Sequence, residues 1–394
     1  MYILTASLDS SFLRCTLYIF KVDTVYHQSE KSVMKTLSQA KPSDLVLVTG
    51  ASGYVAGHCI LRLLNDGYTV RGTLRSLRRA DEVRQWLTKA QGGIDCGDNL
   101  SFVEAELTDP KSWDGAMERV RYVLHVASPI PSSLPKDPDS LIAPAREGTL
   151  NVMRAASRAS VERVVQTSSL SAIFHGRDDP NAHLFTEADW TDPDHKDNVP
   201  YTRSKTIAER AAWAELAKLP RPLEWVAINP GLVLGPVLDK DSSASVQIVA
   251  KLLKGELPGL PRFGWAVVDV RDLADLEVRA MVAPQAAGQR YIGSGPFISM
   301  SQIANVLKER LGVKAKKVPT RKLRDWVVRF VGLFDSEVRG QLFELGKVRR
   351  PSSAKAEKDL GWSSRPLEDT IVDTATSLEA VGALTEETKQ RVTS

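Results

Sequence analysis

The chain has little cysteine: three residues in 394, Cys15, Cys59 and Cys96. They are odd in number, far apart and without a Cys-x-x-Cys pair, which excludes a disulfide framework and a thiolate zinc site and points to a reducing, cytoplasmic compartment. Six histidines are present without ligand spacing, so no metal site is expected. Long apolar runs are also missing. The stretch SFLRCTLYIFKV is broken by Arg14 and falls well short of the roughly twenty apolar residues that cross a bilayer. Neither a basic leading region nor a small-residue cleavage site accompanies it. No long block of one charge sign occurs: 52 Lys and Arg stand against 48 Asp and Glu, a net +4. The arginines gather locally, at RSLRR (75–79) and KVRR (347–350). This reading expects neither a nucleic-acid nor a membrane partner.

What remains is an ordinary globular composition, 43% hydrophobic and 25% charged, in a chain long enough for two or three domains of about 150 residues. Residues 1–43 read as a poorly ordered N-terminal extension. From Asp44 a strand-then-helix alternation sets in. DLVLVTG, YTVRGTL, NLSFVEAEL, VRYVLHVAS and VERVVQTSS are strand-like, and YVAGHCILRLLNDG, DEVRQWLTKA, KSWDGAMERV and EGTLNVMRAASR have helical spacing between them. Such alternation implies an α/β fold, a doubly wound parallel sheet covered on both faces. After LEWVAINPGLVLGP the regularity loosens. WAVVDVRDLADLEVRAMV and GQRYIGSG read as a strand, helix and strand returning to the main sheet. The expected organisation is a nucleotide domain at 44–235 joined by 264–295, a smaller C-terminal substrate lobe at 236–263 and 296–382, and a tail at 383–394.

VTGASGYVAGH joins the first strand to the first helix, the context a dinucleotide-binding turn requires. Gly50 allows the tight turn, Gly53 a close approach of backbone to a diphosphate, and Ala56 with Gly57 close packing of helix on sheet. An NAD-dependent protein usually carries Asp or Glu at the end of the second strand, to hold the ribose hydroxyls. Here the chain reads TLRSLRR. Arg75, followed by Arg78 and Arg79, offers guanidinium partners to a 2′-phosphate that a carboxylate would repel, so NADPH is expected over NADH. Glu106 is a candidate to lie beside the adenine ring.

Ligands of open α/β sheets gather beyond the carboxyl ends of the strands. VLHVASP and VVQTSSLSA end there in hydroxyl-bearing residues, and YTRSK follows with Tyr201 and Lys205 one helical turn apart. Carbonyl reduction needs a hydride at carbon, a proton at oxygen and donors for the developing alkoxide. Tyr201 can give the proton, Lys205 can lower its pKa and hold the nicotinamide ribose, and Ser169 can orient the substrate oxygen.

TGASGYVAG, LHVASP, TSS and YTRSK, in that order, resemble the extended branch of the short-chain dehydrogenase/reductase superfamily. More narrowly they are similar to the dihydroflavonol reductase, cinnamoyl-CoA reductase and yeast-type aldehyde and ketone reductase group. PAREGTLNVM, EADWTDP, ERAAWA, NPGLVLGP and VDVRDLADLEV extend the likeness over residues 44–382. The resemblance implies a Rossmann fold, NADPH, a small-molecule carbonyl substrate and the catalytic roles of Ser169, Tyr201 and Lys205. It also implies cofactor contacts at Arg75, Arg79 and the segment around Ala127 and Ser128. The full expected cofactor set is Gly50, Ser52, Gly53, Tyr54, Val55, Arg75, Arg79, Glu106, Leu107, Val126, Ala127, Ser128, Tyr201, Lys205 and Pro230. Flavonoid-reducing relatives often carry Asn five residues after the serine; Phe174 stands there, which argues against a dihydroflavonol substrate. His125, within VLHVAS, reads as a packed, hydrogen-bonded residue. The alternatives on this scaffold are an epimerase or dehydratase and a 3β-hydroxysteroid dehydrogenase; outside catalysis, an NADP-sensing regulator. A monomer or homodimer is expected.

Overall fold

The computed structural model describes residues 44–129, 139–177, 179–195, 198–240 and 243–385. The expected N-terminal extension and most of the expected tail lie outside the described residues.

The first half alternates as the sequence predicts: β1 (Leu45–Val48), α1 (Tyr54–Asn65), β2 (Thr69–Leu74), α2 (Ala80–Ala90), β3 (Leu100–Glu104), α3 (Ser112–Ala116), β4 (Tyr122–His125), α4 (Asp139–Arg158) and β5 (Arg163–Thr167). There follow β6 (Leu184–Phe185), α5 (Pro200–Glu215), β7 (Glu224–Pro230), β8 (Leu232–Leu234), α6 (Gln247–Lys254), β9 (Gly264–Asp269), α7 (Val270–Val282) and β10 (Arg290–Gly293). The chain closes with β11 (Phe297–Ser299), α8 (Met300–Leu311), α9 (Asp325–Val331), α10 (Ser336–Arg339), β12 (Arg350–Pro351), α11 (Ala354–Leu360) and α12 (Leu367–Ala380).

Seven strands form one sheet in the order β10-β7-β5-β4-β1-β2-β3, every pair parallel. The order reverses direction at β1 and β4, and there a crevice opens at the carboxyl ends. Alternate residues of one strand serve opposite faces, as the two-residue repeat demands. Val46 and Val48 enter a core with Ile60, Leu63 and Leu273, whereas Leu47 enters another with Trp113, Met153 and Trp225. Burial on both faces is why these strands read as unbroken apolar runs rather than alternating ones. At the far end of the sheet, the buried Arg163 guanidinium donates to the carbonyls of Ala280, Met281 and Ala283. It thereby caps α7 and ties it to β5.

One expectation fails. β10 rejoins the main sheet and α7 packs against it, but β9 does not return: it lies between β8 and β11 in a separate three-stranded sheet. The cause is at Gly231. A Cβ there would lie 2.2 Å from the Ala266 carbonyl oxygen, so only glycine lets the chain leaving β7 turn onto β9 at such close range. This small sheet, with α6, α8 and α12, encloses its own apolar cluster around Leu252, Phe263, Ile303 and Ile371.

Candidate active site

The glycine turn forms the floor of the crevice. Gly50 has φ +71°, which L side chains rarely adopt, and a Cβ there would meet the Ala127 Cβ at 3.0 Å. Its N–H donates to Thr73 Oγ1, and Gly53 N–H donates back to the Gly50 carbonyl at 2.8 Å. Gly53 is exposed at the N-cap of α1, with Ser52 beside it half-buried. With glycine at its N-cap, the positive end of α1 carries no side chain there, as the approach of an anionic diphosphate requires. Gly57 acts otherwise than expected: a Cβ there would strike Trp86 of α2 and Leu238, so it admits neighbours across the helix rather than the sheet. Tyr54 turns toward the C-terminal cluster, edge-on to His58 at 5.7 Å, and Val55 packs on the sheet core.

Beside the turn, Thr49 organises the segment after β4. Ala127 N–H donates to Thr49 Oγ1 at 2.9 Å, and that hydroxyl lies 3.0 Å from His125 Nδ1. Burial, reinforced by the Lys205 charge, pushes His125 down to about 3, so the ring that shares this hydrogen bond with Thr49 is neutral. This chain of bonds holds Val126, Ala127 and Ser128 half-buried along the crevice wall. His125 is thus a positioning group, packed and hydrogen-bonded. Pro230 is buried where β7 ends.

At the outer end of the crevice, Arg75 follows β2 directly, is exposed, and has no hydrogen bond or ion pair among the described residues. Arg79 is engaged with Glu82 at 3.0 Å. Glu106 is exposed, its backbone braced by Ser112 and Trp113, while the Leu107 carbonyl accepts from Asn151. An unengaged cation where the fold would otherwise place a carboxylate suits a 2′-phosphate. The glycine cradle and this cation together fit a phosphorylated dinucleotide.

Ser169, Tyr201 and Lys205 converge at the opposite end. Ser169 caps the short turn after β5, its Oγ accepting from Ser171 N–H. Pro200 occupies the first turn of α5, where its missing N–H costs nothing. Tyr201 and Lys205 are therefore successive on one helix face. Burial raises the Tyr201 phenol above its ordinary range, and the hydrogen bond with Ser169 pulls it back. The expected lowering by Lys205 is not seen. The Lys205 ammonium is turned instead to the Thr167 carbonyl at 3.4 Å. Burial pushes Lys205 down to about 8, against the pull of Glu209 and Glu277.

Those two buried carboxyl groups were not anticipated from sequence. Glu209, one turn beyond Lys205, accepts from Ser168 Oγ, Asn229 Nδ2 at 2.8 Å and Arg290 Nε at 2.6 Å. Asn229 also donates to the Ser169 carbonyl. Arg290 in turn donates to the carbonyls of Glu187 and Asp189 and lies 3.7 Å from the Trp190 ring. Glu277, from α7, accepts from Thr167 Oγ1 at 2.5 Å and Cys59 Sγ at 3.3 Å, and burial pushes it up to about 7. A signal for Glu209 existed: Tyr201, Lys205, Glu209 and Trp213 recur every four residues. Glu277 gave none: it is one of three acidic residues in α7, beside Asp272 and Asp275. Phe174 stacks edge-on with Phe185 in a small apolar cluster next to the serine turn. Among the described residues, no group of His, Cys, Asp and Glu could hold a metal ion, and no helix is long and apolar enough to cross a membrane.

A doubly wound sheet with a glycine-cradled crevice and a Ser, Tyr and Lys cluster beyond its carboxyl ends defines a nucleotide-dependent oxidoreductase scaffold. The model of the NAD dependent epimerase/dehydratase family matches residues 46–292, well over half the chain, and the protein belongs to that family, the extended short-chain dehydrogenases/reductases. Cinnamoyl-CoA reductase 1 of Petunia hybrida is 32% identical over 346 residues, covering 86% of this chain and 94% of the relative. Tetraketide alpha-pyrone reductase 2 of Arabidopsis thaliana is 34% identical over 271 residues, 67% and 82% of the two chains. Among solved structures, yeast methylglyoxal/isovaleraldehyde reductase complexed with NADPH superposes with a TM-score of 0.70 at 27% identity, over 86% of this chain and 99% of that one. The protein is an NAD(P)-dependent oxidoreductase.

Proposed function

We propose that the protein reduces an aldehyde or ketone to the alcohol with NADPH, using Ser169, Tyr201 and Lys205. The observation that carries this reading is the placing of the Ser169 hydroxyl near enough to the Tyr201 phenol to ease its ionisation, with Lys205 one helical turn on, at the carboxyl ends of the central strands. The named reductases among its relatives support a carbonyl substrate.

Bound in the crevice, NADPH would supply the hydride. The substrate oxygen accepts hydrogen bonds from Ser169 and Tyr201, which favour the charge developing there. Tyr201 then transfers its proton to that oxygen. The phenolate left behind is stabilised by the Ser169 hydroxyl, while the Lys205 cation, which Glu209 and Glu277 help keep protonated, would hold the nicotinamide ribose. Thr49 and Asn229 fix the two backbone segments, 126–128 and 168–169, that flank this exchange. Arg75 would take the 2′-phosphate.

The test is turnover of a panel of aldehydes and ketones, followed as NADPH consumption and repeated with NADH. Tyr201→Phe should lose about a hundredfold to ten-thousandfold in kcat. Wild-type turnover by that variant on the best substrate would overturn the assignment.

A further inference from the structure

Nine large apolar side chains are exposed among the described residues, and five fall within nine positions of one lobe: Trp326, Phe330, Val331, Leu333 and Phe334. Trp326, Phe330, Leu333 and Phe334 share the outer side of α9 and the turn that follows it, at 100° per residue. Phe330 and Phe334 touch edge-on, 5.4 Å between centroids. The inner side is firmly seated: Val328 is buried in the lobe's apolar cluster, a Cβ on Gly332 would meet Leu342 at 2.9 Å, and Arg339 donates to the carbonyls of Gly332 and Leu333. The fold therefore holds these rings outward on a fixed support.

The same segment is strongly basic. Between Lys314 and Phe334 the chain has seven Lys or Arg against one acid, Asp325, a local +6 in a protein whose total is +4. Asp325 is already paired with Arg262, from outside the segment. Arg321, Lys322, Arg324 and Arg329 are exposed around the aromatic face. The sequence reading, fixed on arginine runs elsewhere, passed over this concentration.

We infer that this face docks on an anionic lipid surface. Outward Trp, Phe and Leu flanked by Lys and Arg match what an interfacial segment needs: rings that enter the headgroup layer and cations that meet lipid phosphates and carboxylates. A second copy of the chain fits poorly. A two-fold interface would set this patch against its own image and bring like charges together around it. Attachment is peripheral, since no described helix can cross a bilayer.

The experiment is co-sedimentation of the full chain with vesicles of phosphatidylcholine alone and of phosphatidylcholine with phosphatidylserine. The wild type should favour the anionic vesicles and lose that preference as salt is raised. Two variants separate the contributions, Trp326→Ser/Phe330→Ser/Phe334→Ser and Arg321→Glu/Lys322→Glu/Arg324→Glu. Each should weaken binding by at least about tenfold while reductase turnover in solution is unchanged. Equal or absent wild-type binding to the two vesicle types would overturn the inference. So would a wild-type dimer in analytical ultracentrifugation that the apolar variant converts to monomer, which would make the patch a self-interface.

Discussion

The two ends of the crevice are built in opposite ways. At the outer end stands Arg75, exposed and without a partner among the described residues, with the half-buried Arg79 lent to Glu82. At the inner end, Lys205, Glu209 and Glu277 are buried and tied to Ser168, Thr167, Asn229, Arg290 and Cys59. An exposed cation can bind a phosphate with little prior commitment, so the phosphate contact proposed for Arg75 is one that a single surface substitution removes. A buried charge is costly unless partnered, so the inner end comes as a unit that tolerates little change.

Tyr201→Phe, at the centre of the inner end, carries the largest effect, the loss of kcat stated above. Next comes Glu209→Ala. It strands the Arg290 guanidinium in the interior and should cost about 3–5 kcal/mol of stability, read as a lower urea midpoint; an unchanged midpoint would mean that the network is dispensable. Arg75→Glu tests the outer end. It should raise KM for NADPH by about tenfold to a hundredfold, leave NADH nearly unaffected and leave the unfolding free energy read from urea within about 0.5 kcal/mol of wild type. Equal losses with both cofactors would undo the phosphate assignment.

A smaller effect concerns pH. In the proposed reaction Lys205 must be charged to hold the nicotinamide ribose, and burial pushes its ammonium down to about 8, so kcat/KM should fall as pH rises through about 8. Glu277 pulls that value up. Glu277→Gln should therefore move the basic limb to lower pH, whereas a purely structural role would scale the profile without displacing it. Smallest is Arg79→Ala, which gives up a guanidinium already engaged by Glu82 and should change KM for NADPH by less than about threefold.

Much of the crevice was legible before folding because its parts are local in the chain. Gly50 and Gly53 lie within one turn, Arg75 follows its strand directly, and Tyr201 and Lys205 are separated by a single helical turn. The buried carboxylates were not legible because their partners are scattered. Glu209 joins residues 168, 229 and 290, and Glu277 joins 59 and 167, all brought together by β5, β7, β10 and three helices. The same holds for the Thr49, His125 and Ala127 chain across 76 to 78 positions. The path of β9 depended on a backbone approach at Gly231 that no periodicity encodes.

What the sequence determined by itself was therefore the parallel α/β order, the glycine turn between the first strand and helix, and the placing of Tyr201 and Lys205 on one helix face, since each follows from spacing along one strand, loop or helix. The tertiary structure alone decided where the Lys205 ammonium points, which carboxylates face it and which side of α9 is left to solvent. Those outcomes depend on which distant groups share a dry interior, where an unpaired charge cannot be left.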